Sequence, residues 1–158
     1  MDNKNQNIFF LYPSTLFASN KTVYIKTLLG SCVAVCLYNS KLKVGGMTHY
    51  MLPLWNGNGL ATPKYGNYAI EQLIKKLLSY DSYKSNLKAK VFGGASMLSH
   101  NNNIFNIGQK NIDIAKYILD NNNIPIISSS VGGTLGRRII FNTESSEVKQ
   151  YMIKKSKI

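Results

Sequence analysis

The chain is poor in cysteine, in acidic residues and in long apolar runs, and these shortages limit the classes of protein to which it can belong. Its 158 residues include only two cysteines, too few for a disulfide framework. No apolar run approaches the roughly 20 residues of a membrane-spanning helix, so we expect no direct insertion into a membrane. The apolar stretch near the N-terminus is broken by polar residues and a proline, which is unlike a signal peptide. We therefore expect a cytoplasmic protein whose thiols are reduced.

Acidic side chains are scarce relative to basic ones. Seven Asp and Glu accompany 19 Lys and Arg, which gives a net charge of +12. Such a surplus attracts acidic partners, including nucleic acid, an anionic membrane or an acidic protein surface. However, the basic residues form no dense block and no nucleic-acid-binding motif is present. A solvated lysine-rich surface is the simpler interpretation, and we expect no nucleic-acid partner.

Apolar periodicity predicts clusters of strands with two helices inserted between them. In the first helix the apolar residues recur at a spacing of four: Tyr65, Ala69, Leu73 and Leu77. The second helix is predicted to begin at about Asn111. This order favours an α+β fold with mixed or antiparallel sheets over a regular βαβ array. The length suits one domain, which we assign to residues 8–158 after a loose polar tail of residues 1–7.

One apolar run, TLLGSCVAVCLY, contains both cysteines. Cys36 has apolar neighbours on both sides, which predicts simple core packing. Cys32 follows Gly30-Ser31, where the chain turns into a strand and backbone N–H groups can point at a ligand. At roughly 3.3 Å per residue the two thiols would be about 13 Å apart on one strand, too far for a disulfide. Cys32 is therefore either a packing residue or a functional thiol.

A cysteine nucleophile needs a base, and the chain has only two histidines, His49 and His100. If residues 33–39 and 43–50 pair as a hairpin, His49 returns close to Cys32. His100 lies in an Asn-rich loop, which is typical of a solvated residue. Two Cys and two His match the number of zinc ligands but not their spacing, and the tract VGGTLGRR lacks the lysine of a P-loop. We therefore expect no metal site and no P-loop.

Several segments resemble the chemoreceptor glutamine deamidase family, CheD. The most specific is LLGSCVAVCLYNSKLKVGGMTHYMLP, and four others follow in the family's order: KYGNYAIEQLI, KVFGGASML, NIGQKNIDIAKYIL and SVGGTLGRRIIFNTESSEV. The resemblance extends from about Leu11 to the C-terminal strand. It implies a three-layer α/β/β sandwich with mixed sheets and two main helices, as in cysteine hydrolases of deamidase type.

The resemblance also implies a reaction and the residues that perform it. A Cys-His pair assisted by a threonine would convert glutamine side chains of methyl-accepting chemotaxis receptors to glutamate, with no cofactor. Cys32 matches the nucleophile, His49 the base and Thr27 the third residue. Gly30 and Ser31, in the turn before the cysteine, are the expected oxyanion and substrate-binding residues. The same chemistry extends to glutamyl methyl esters, in which methoxide replaces ammonia as the leaving group.

The implied partners are the cytoplasmic helices of chemoreceptors and, as in some members of the family, a CheC-type phosphatase. The chain departs from the family at Ser130, where an acidic residue often stands, and in the spacing between Thr27 and Cys32. The alternative function is a catalytically silent module that docks on receptors or on the phosphatase. An enzyme predicts one thiol that is alkylated quickly at neutral pH, at a rate that depends on His49, whereas a silent module predicts two slow thiols.

Overall fold

The computed structural model describes residues 6–96 and 106–154. His100 lies outside these ranges, as does the predicted tail except for its last two residues. The elements in the described part are β1 (Ile8–Phe10), β2 (Thr15–Ser19), β3 (Tyr24–Leu29), β4 (Val33–Asn39), β5 (Val44–His49), α1 (Gly66–Leu78), β6 (Lys88–Gly93), α2 (Ile107–Asn121), β7 (Ile126–Val131), β8 (Gly136–Asn142) and β9 (Val148–Ile153).

The strands form two mixed sheets. One has five strands in the order β2-β5-β4-β6-β7, and the other has four in the order β1-β3-β8-β9. The pairs β1–β3 and β6–β7 are parallel and the others are antiparallel. The segment VAVCLYN forms β4 and is buried at every position, as its continuous apolar character predicts.

Alternate residues of β4 point into two different cores. Val33, Val35 and Leu37 pack with the helices, whereas Ala34 and Cys36 pack against the four-stranded sheet. Successive side chains of a strand point to opposite faces, so a strand with two apolar faces must lie in a middle layer. The five-stranded sheet is that layer, and the predicted three-layer α/β/β sandwich is confirmed.

Helix α1 covers the five-stranded sheet with the apolar face that its sequence predicts. Its buried side chains include Ala69, Leu73 and Leu77. Full burial of an aliphatic side chain stabilises by about 1.5–3 kcal/mol, so this face rather than intrinsic propensity holds the helix in place.

Helix α2 begins at Ile107, earlier than the predicted start at about Asn111. The Asn106 side chain accepts a hydrogen bond from the Gln109 N–H at 3.1 Å, which makes Asn106 the N-cap. Asn111 therefore lies inside the helix, where it is fully buried. The prediction misplaced the start because several asparagines in this region are suitable caps.

Candidate active site

The ends of β3 and β5 and the turn before β4 meet between the two sheets. Val33 and Tyr50 exchange both backbone hydrogen bonds, at 3.2 and 3.1 Å. Cys32 and His49 each come one residue earlier, so both point to the opposite face, toward the four-stranded sheet. They are diagonal neighbours across an antiparallel pair, an arrangement that separates Cα atoms by about 7–8 Å. The structure thus brings Cys32 and His49 to one face, as the hairpin argument expects.

Thr27 reaches His49 from the other sheet. Its side chain points inward from β3, and Oγ1 lies 2.7 Å from His49 Nδ1. The same hydroxyl donates to the Leu11 carbonyl at 2.7 Å. Thr27 is 0% exposed and His49 is 2% exposed, so this network is shielded from water.

These contacts determine the tautomer of His49. The Leu11 carbonyl can only accept, and the Thr27 hydroxyl has a single proton. Because that proton is donated to Leu11, Oγ1 accepts from Nδ1–H of the imidazole. The lone pair of His49 is then on Nε2, the nitrogen that Thr27 does not contact.

Burial keeps both members of the Cys-His pair neutral. It lowers the pKa of His49 to about 4 from the usual 6.5, while the nearby Leu11 backbone, which favours the charged imidazole, opposes the change. Burial also raises the pKa of the Cys32 thiol, opposed by a hydrogen bond from the residue's own backbone. No hydrogen bond joins the two side chains within the part of the chain that the structure describes. Near pH 7 the thiol of Cys32 and the imidazole of His49 are therefore both neutral.

Hydrogen bonds to three consecutive carbonyls hold the turn that carries Cys32 in place. Each accepts one hydrogen bond: Gly30 from the Ala95 N–H at 3.0 Å, Ser31 from Asn111 Nδ2 at 3.0 Å, and Cys32 from the Gly94 N–H at 2.9 Å. In a trans peptide the C=O and the following N–H point in opposite directions. The N–H groups of Ser31 and Cys32 therefore point away from these anchors.

Gly93 allows the β6 end to pass close beneath Cys32. Its φ is +108°, a conformation that side chains rarely adopt, and an added Cβ would collide with the Cys32 carbonyl oxygen. The segment KVFGGASML predicts a strand that runs into a glycine turn, but not that this turn supports the cysteine.

Sequence reasoning missed the Leu11 carbonyl and Asn111. A backbone carbonyl carries no sequence signal. Asn111 carried none either, because the sequence predicts it at the start of the helix, where an asparagine is an ordinary cap; only the structure shows it buried inside α2.

Within residues 6–96 and 106–154, no three His, Cys, Asp or Glu side chains gather as they would around a metal ion. Over the same ranges, no helix has the length and apolar character needed to span a membrane.

A family model described as CheD chemotactic sensory transduction matches residues 51–152, well over half of the chain. The chain belongs to the CheD family. It is 45% identical over 148 residues to a protein of Sulfurimonas denitrificans named probable chemoreceptor glutamine deamidase CheD, covering 93% of this chain and 95% of that protein. A protein of Trichlorobacter lovleyi with the same name is 46% identical over 140 residues, covering 89% and 87%.

The CheD model match begins after His49. The alignment with the Sulfurimonas denitrificans protein, however, spans 148 residues in a chain of 158, so it must include residues Thr27 to His49. A crystal structure of the Bacillus licheniformis hypothetical protein YfiH has the same fold, with a TM-score of 0.50 and 13% identity over 73% of this chain. This CheD chain spans about half of that protein, 49%.

Proposed function

We propose that this CheD protein hydrolyses glutamine side chains of chemoreceptors to glutamate, with Cys32 as the nucleophile. The names of its relatives support the reaction and the substrate. The residues are supported chiefly by one observation: Thr27 holds Nδ1 of His49, which leaves Nε2 as an acceptor on the face to which Cys32 points. This is the arrangement that nucleophilic acyl transfer needs, with a base oriented by a third group.

In the proposed reaction His49 Nε2 takes the proton from Cys32 Sγ as the sulfur attacks the amide carbon. The C–S bond forms and the carbonyl π electrons move to oxygen. Collapse of this tetrahedral intermediate breaks the C–N bond, and protonated His49 gives its proton to the departing ammonia. Water, deprotonated by the same imidazole, then attacks the thioester. The products are glutamate, ammonia and a regenerated thiol.

The tetrahedral oxyanion needs hydrogen-bond donors, and the turn before β4 supplies candidates. We assign this role to the N–H groups of Ser31 and Cys32, with Gly30 leaving room for the substrate to approach. Removing one donor from such a site costs about 10²–10³-fold in kcat in other enzymes.

The neutral resting pair supports general-base catalysis rather than a preformed thiolate. Desolvation favours the uncharged form of both side chains, and it raises the pKa of Cys32 and lowers that of His49. The proton therefore moves during attack. A bound substrate that draws Sγ toward Nε2 would complete the hydrogen bond, since catalytic contacts often tighten only in the complex.

We assign receptor contact to the loop that follows His49. The Trp55 N–H donates to Asn67 Oδ1 at 2.9 Å and its indole N–H to the Asn58 carbonyl at 3.1 Å. Leu54 and Leu60 are 59% and 86% exposed. An ordered loop with exposed apolar side chains suits a helical protein substrate, and the net charge of +12 suits an acidic one.

We further propose that the same site chemistry extends to glutamyl methyl esters. Because the reaction needs a reduced thiol, we also propose that the enzyme works in the cytoplasm. A CheC-type phosphatase partner stays a prediction. The alternative is a silent docking module. It would retain the same surface, so only a chemical assay separates the two functions.

The deciding experiment is peptide mass spectrometry of a chemoreceptor cytoplasmic fragment after incubation with the protein. Wild type should convert specific Gln to Glu, and Cys32→Ala should not. Cys36→Ala is the matched control, because it removes the other thiol from the core and should leave conversion intact. If folded wild type converts nothing, or if Cys32→Ala remains active, the proposed enzyme or its nucleophile is wrong.

A further inference from the structure

A buried amide from helix α2 joins the two chain segments that carry the proposed catalytic pair. Asn111 is 0% exposed. Its Nδ2 lies 3.0 Å from the Ser31 carbonyl and 3.0 Å from the Met51 carbonyl. Ser31 directly precedes Cys32, and Met51 follows His49 by two residues. One NH₂ group thus links the nucleophile turn to the end of β5.

The orientation of this amide follows from its partners. Both are carbonyl oxygens, which only accept, so both protons of the NH₂ group are used and Oδ1 must point elsewhere. Oδ1 is buried and has no hydrogen-bond partner in the described part of the protein. A buried acceptor without a partner costs stability, so an asparagine here is a poor choice for folding alone. Functional sites are where such departures are expected.

We propose that Asn111 is a positioning residue that aims the oxyanion donor of the active site. The amide holds the Ser31 carbonyl on the helix side of the Ser31–Cys32 peptide. The N–H of Cys32 belongs to the same planar unit and is therefore held pointing the other way, and it is on the same residue as the attacking sulfur. An oxyanion formed by attack of that sulfur develops next to this N–H. This inference rests on the proposed deamidation.

The sharpest perturbation is Asn111→Asp, which keeps the shape of the side chain and replaces the donor by an acceptor. An aspartate side chain either repels the Ser31 and Met51 carbonyls as a carboxylate or, kept neutral by burial, has only one proton for the two of them. In both forms the peptide loses its fixed orientation. Asn111→Ala removes the amide without repulsion and is the second variant. Asn122→Ala is the matched control. Asn122 lies at the other end of α2, where its amide donates to Glu71 at 3.1 Å and to the Ile118 carbonyl at 2.8 Å.

Two reactions of the same thiol are compared in the full-length chain. Deamidation of the receptor fragment passes through an oxyanion, whereas alkylation of Cys32 by iodoacetamide is a displacement at a CH₂ group and does not. Both Asn111 variants should lower kcat by about 10- to 100-fold with KM changed by less than about threefold. Their alkylation rates at neutral pH should match wild type. Asn122→Ala should match wild type in both reactions.

The outcomes separate this inference from the proposed function. If wild type deamidates and both Asn111 variants retain full kcat, the inference is wrong and the proposed function stands. If alkylation slows as much as deamidation, Asn111 supports the thiol or the fold and does not aim the donor. If wild type itself converts no glutamine, the proposed function is wrong, and the inference with it.

Discussion

The most informative single substitution is Thr27→Val, which removes the hydroxyl with little change of shape. Thr27 Oγ1 makes two buried hydrogen bonds, each of 2.7 Å, one with the Leu11 carbonyl and one with His49 Nδ1. Valine leaves both partners without this contact while it fills nearly the same volume. Any effect therefore reports on the hydroxyl rather than on packing.

The magnitude follows from the two orphaned groups. A buried donor or acceptor that loses its partner costs about 1–3 kcal/mol, so Thr27→Val, which orphans two such groups, should destabilise the fold by about 2–6 kcal/mol. The imidazole also loses the contact that keeps its proton on Nδ1. General acid–base catalysis contributes about 10²–10⁴-fold in enzymes, and we expect kcat to fall by about 10²-fold. Thr27→Ser keeps the hydroxyl and should recover most of the activity.

Three measurements test this reasoning. Urea unfolding gives the stability change, receptor deamidation gives kcat, and ¹⁵N NMR of the ring shows which nitrogen of His49 carries the proton. The expected result is a valine variant that is folded, slow and altered in its tautomer signal. Wild-type activity in Thr27→Val, with the proton still on Nδ1, would refute the role assigned to the hydroxyl.

The two thiols, the glycine turn and a buried arginine each give a further test. Cys36 is 0% exposed whereas Cys32 is partly accessible. Iodoacetamide should therefore label one thiol per native chain, and Cys32→Ala should abolish the label. Two labelled thiols would contradict this prediction. Gly93→Ala should cost at least about 1–3 kcal/mol of unfolding free energy in urea, because of its positive φ; an unchanged midpoint would exclude strain there. Arg137 is only 4% exposed and donates to the Gly132 and Leu135 carbonyls, so Arg137→Ala should cost about 2–4 kcal/mol. Exposed Arg138→Ala loses a cation–π contact with Tyr151 and should cost no more than about 1 kcal/mol; equal losses would refute the contrast.

The sequence predicts those parts of the fold that follow from the apolar pattern of a single segment. The segment VAVCLYN predicts a buried strand, and β4 is buried throughout because it has a core on each side. The sequence also predicts that Cys32 and His49 lie close together, because a hairpin is a local structure whose register follows from its turn. Helix α1 was predictable for the same reason, because its apolar spacing matches its burial.

The contacts that complete the site are non-local and have no comparable signature. Thr27 meets His49 only because β3 joins a different sheet, by pairing with β8 more than a hundred residues later. Asn111 and Ser31 are 80 residues apart in sequence. How two sheets and a helix layer stack depends on all their apolar faces together, so no single motif encodes these distances. The resemblance to a family could suggest Thr27, but only the stacking gives it a hydrogen bond to Nδ1.

Burial of His49 also makes stability depend on pH in a predictable direction. The folded chain holds the pKa of His49 at about 4, below the ordinary 6.5. Between these values the unfolded chain binds more protons than the folded one, so the free energy of unfolding rises with pH across this window. Acidification from pH 7 to below 4 should therefore remove about 3 kcal/mol through this residue alone.

Comparison with His49→Gln isolates that contribution, because glutamine is polar but does not titrate. Carboxylates and the other histidine change the stability of both proteins alike, so the difference between the two unfolding free energies follows His49 alone. We expect wild type to lose stability relative to the variant as urea unfolding is repeated from pH 7 down to pH 4.5. If the two pH curves run parallel, His49 titrates equally in the folded and unfolded chains. The imidazole would then be solvated, and the neutral resting pair from which the proposed general-base step starts would no longer follow from burial.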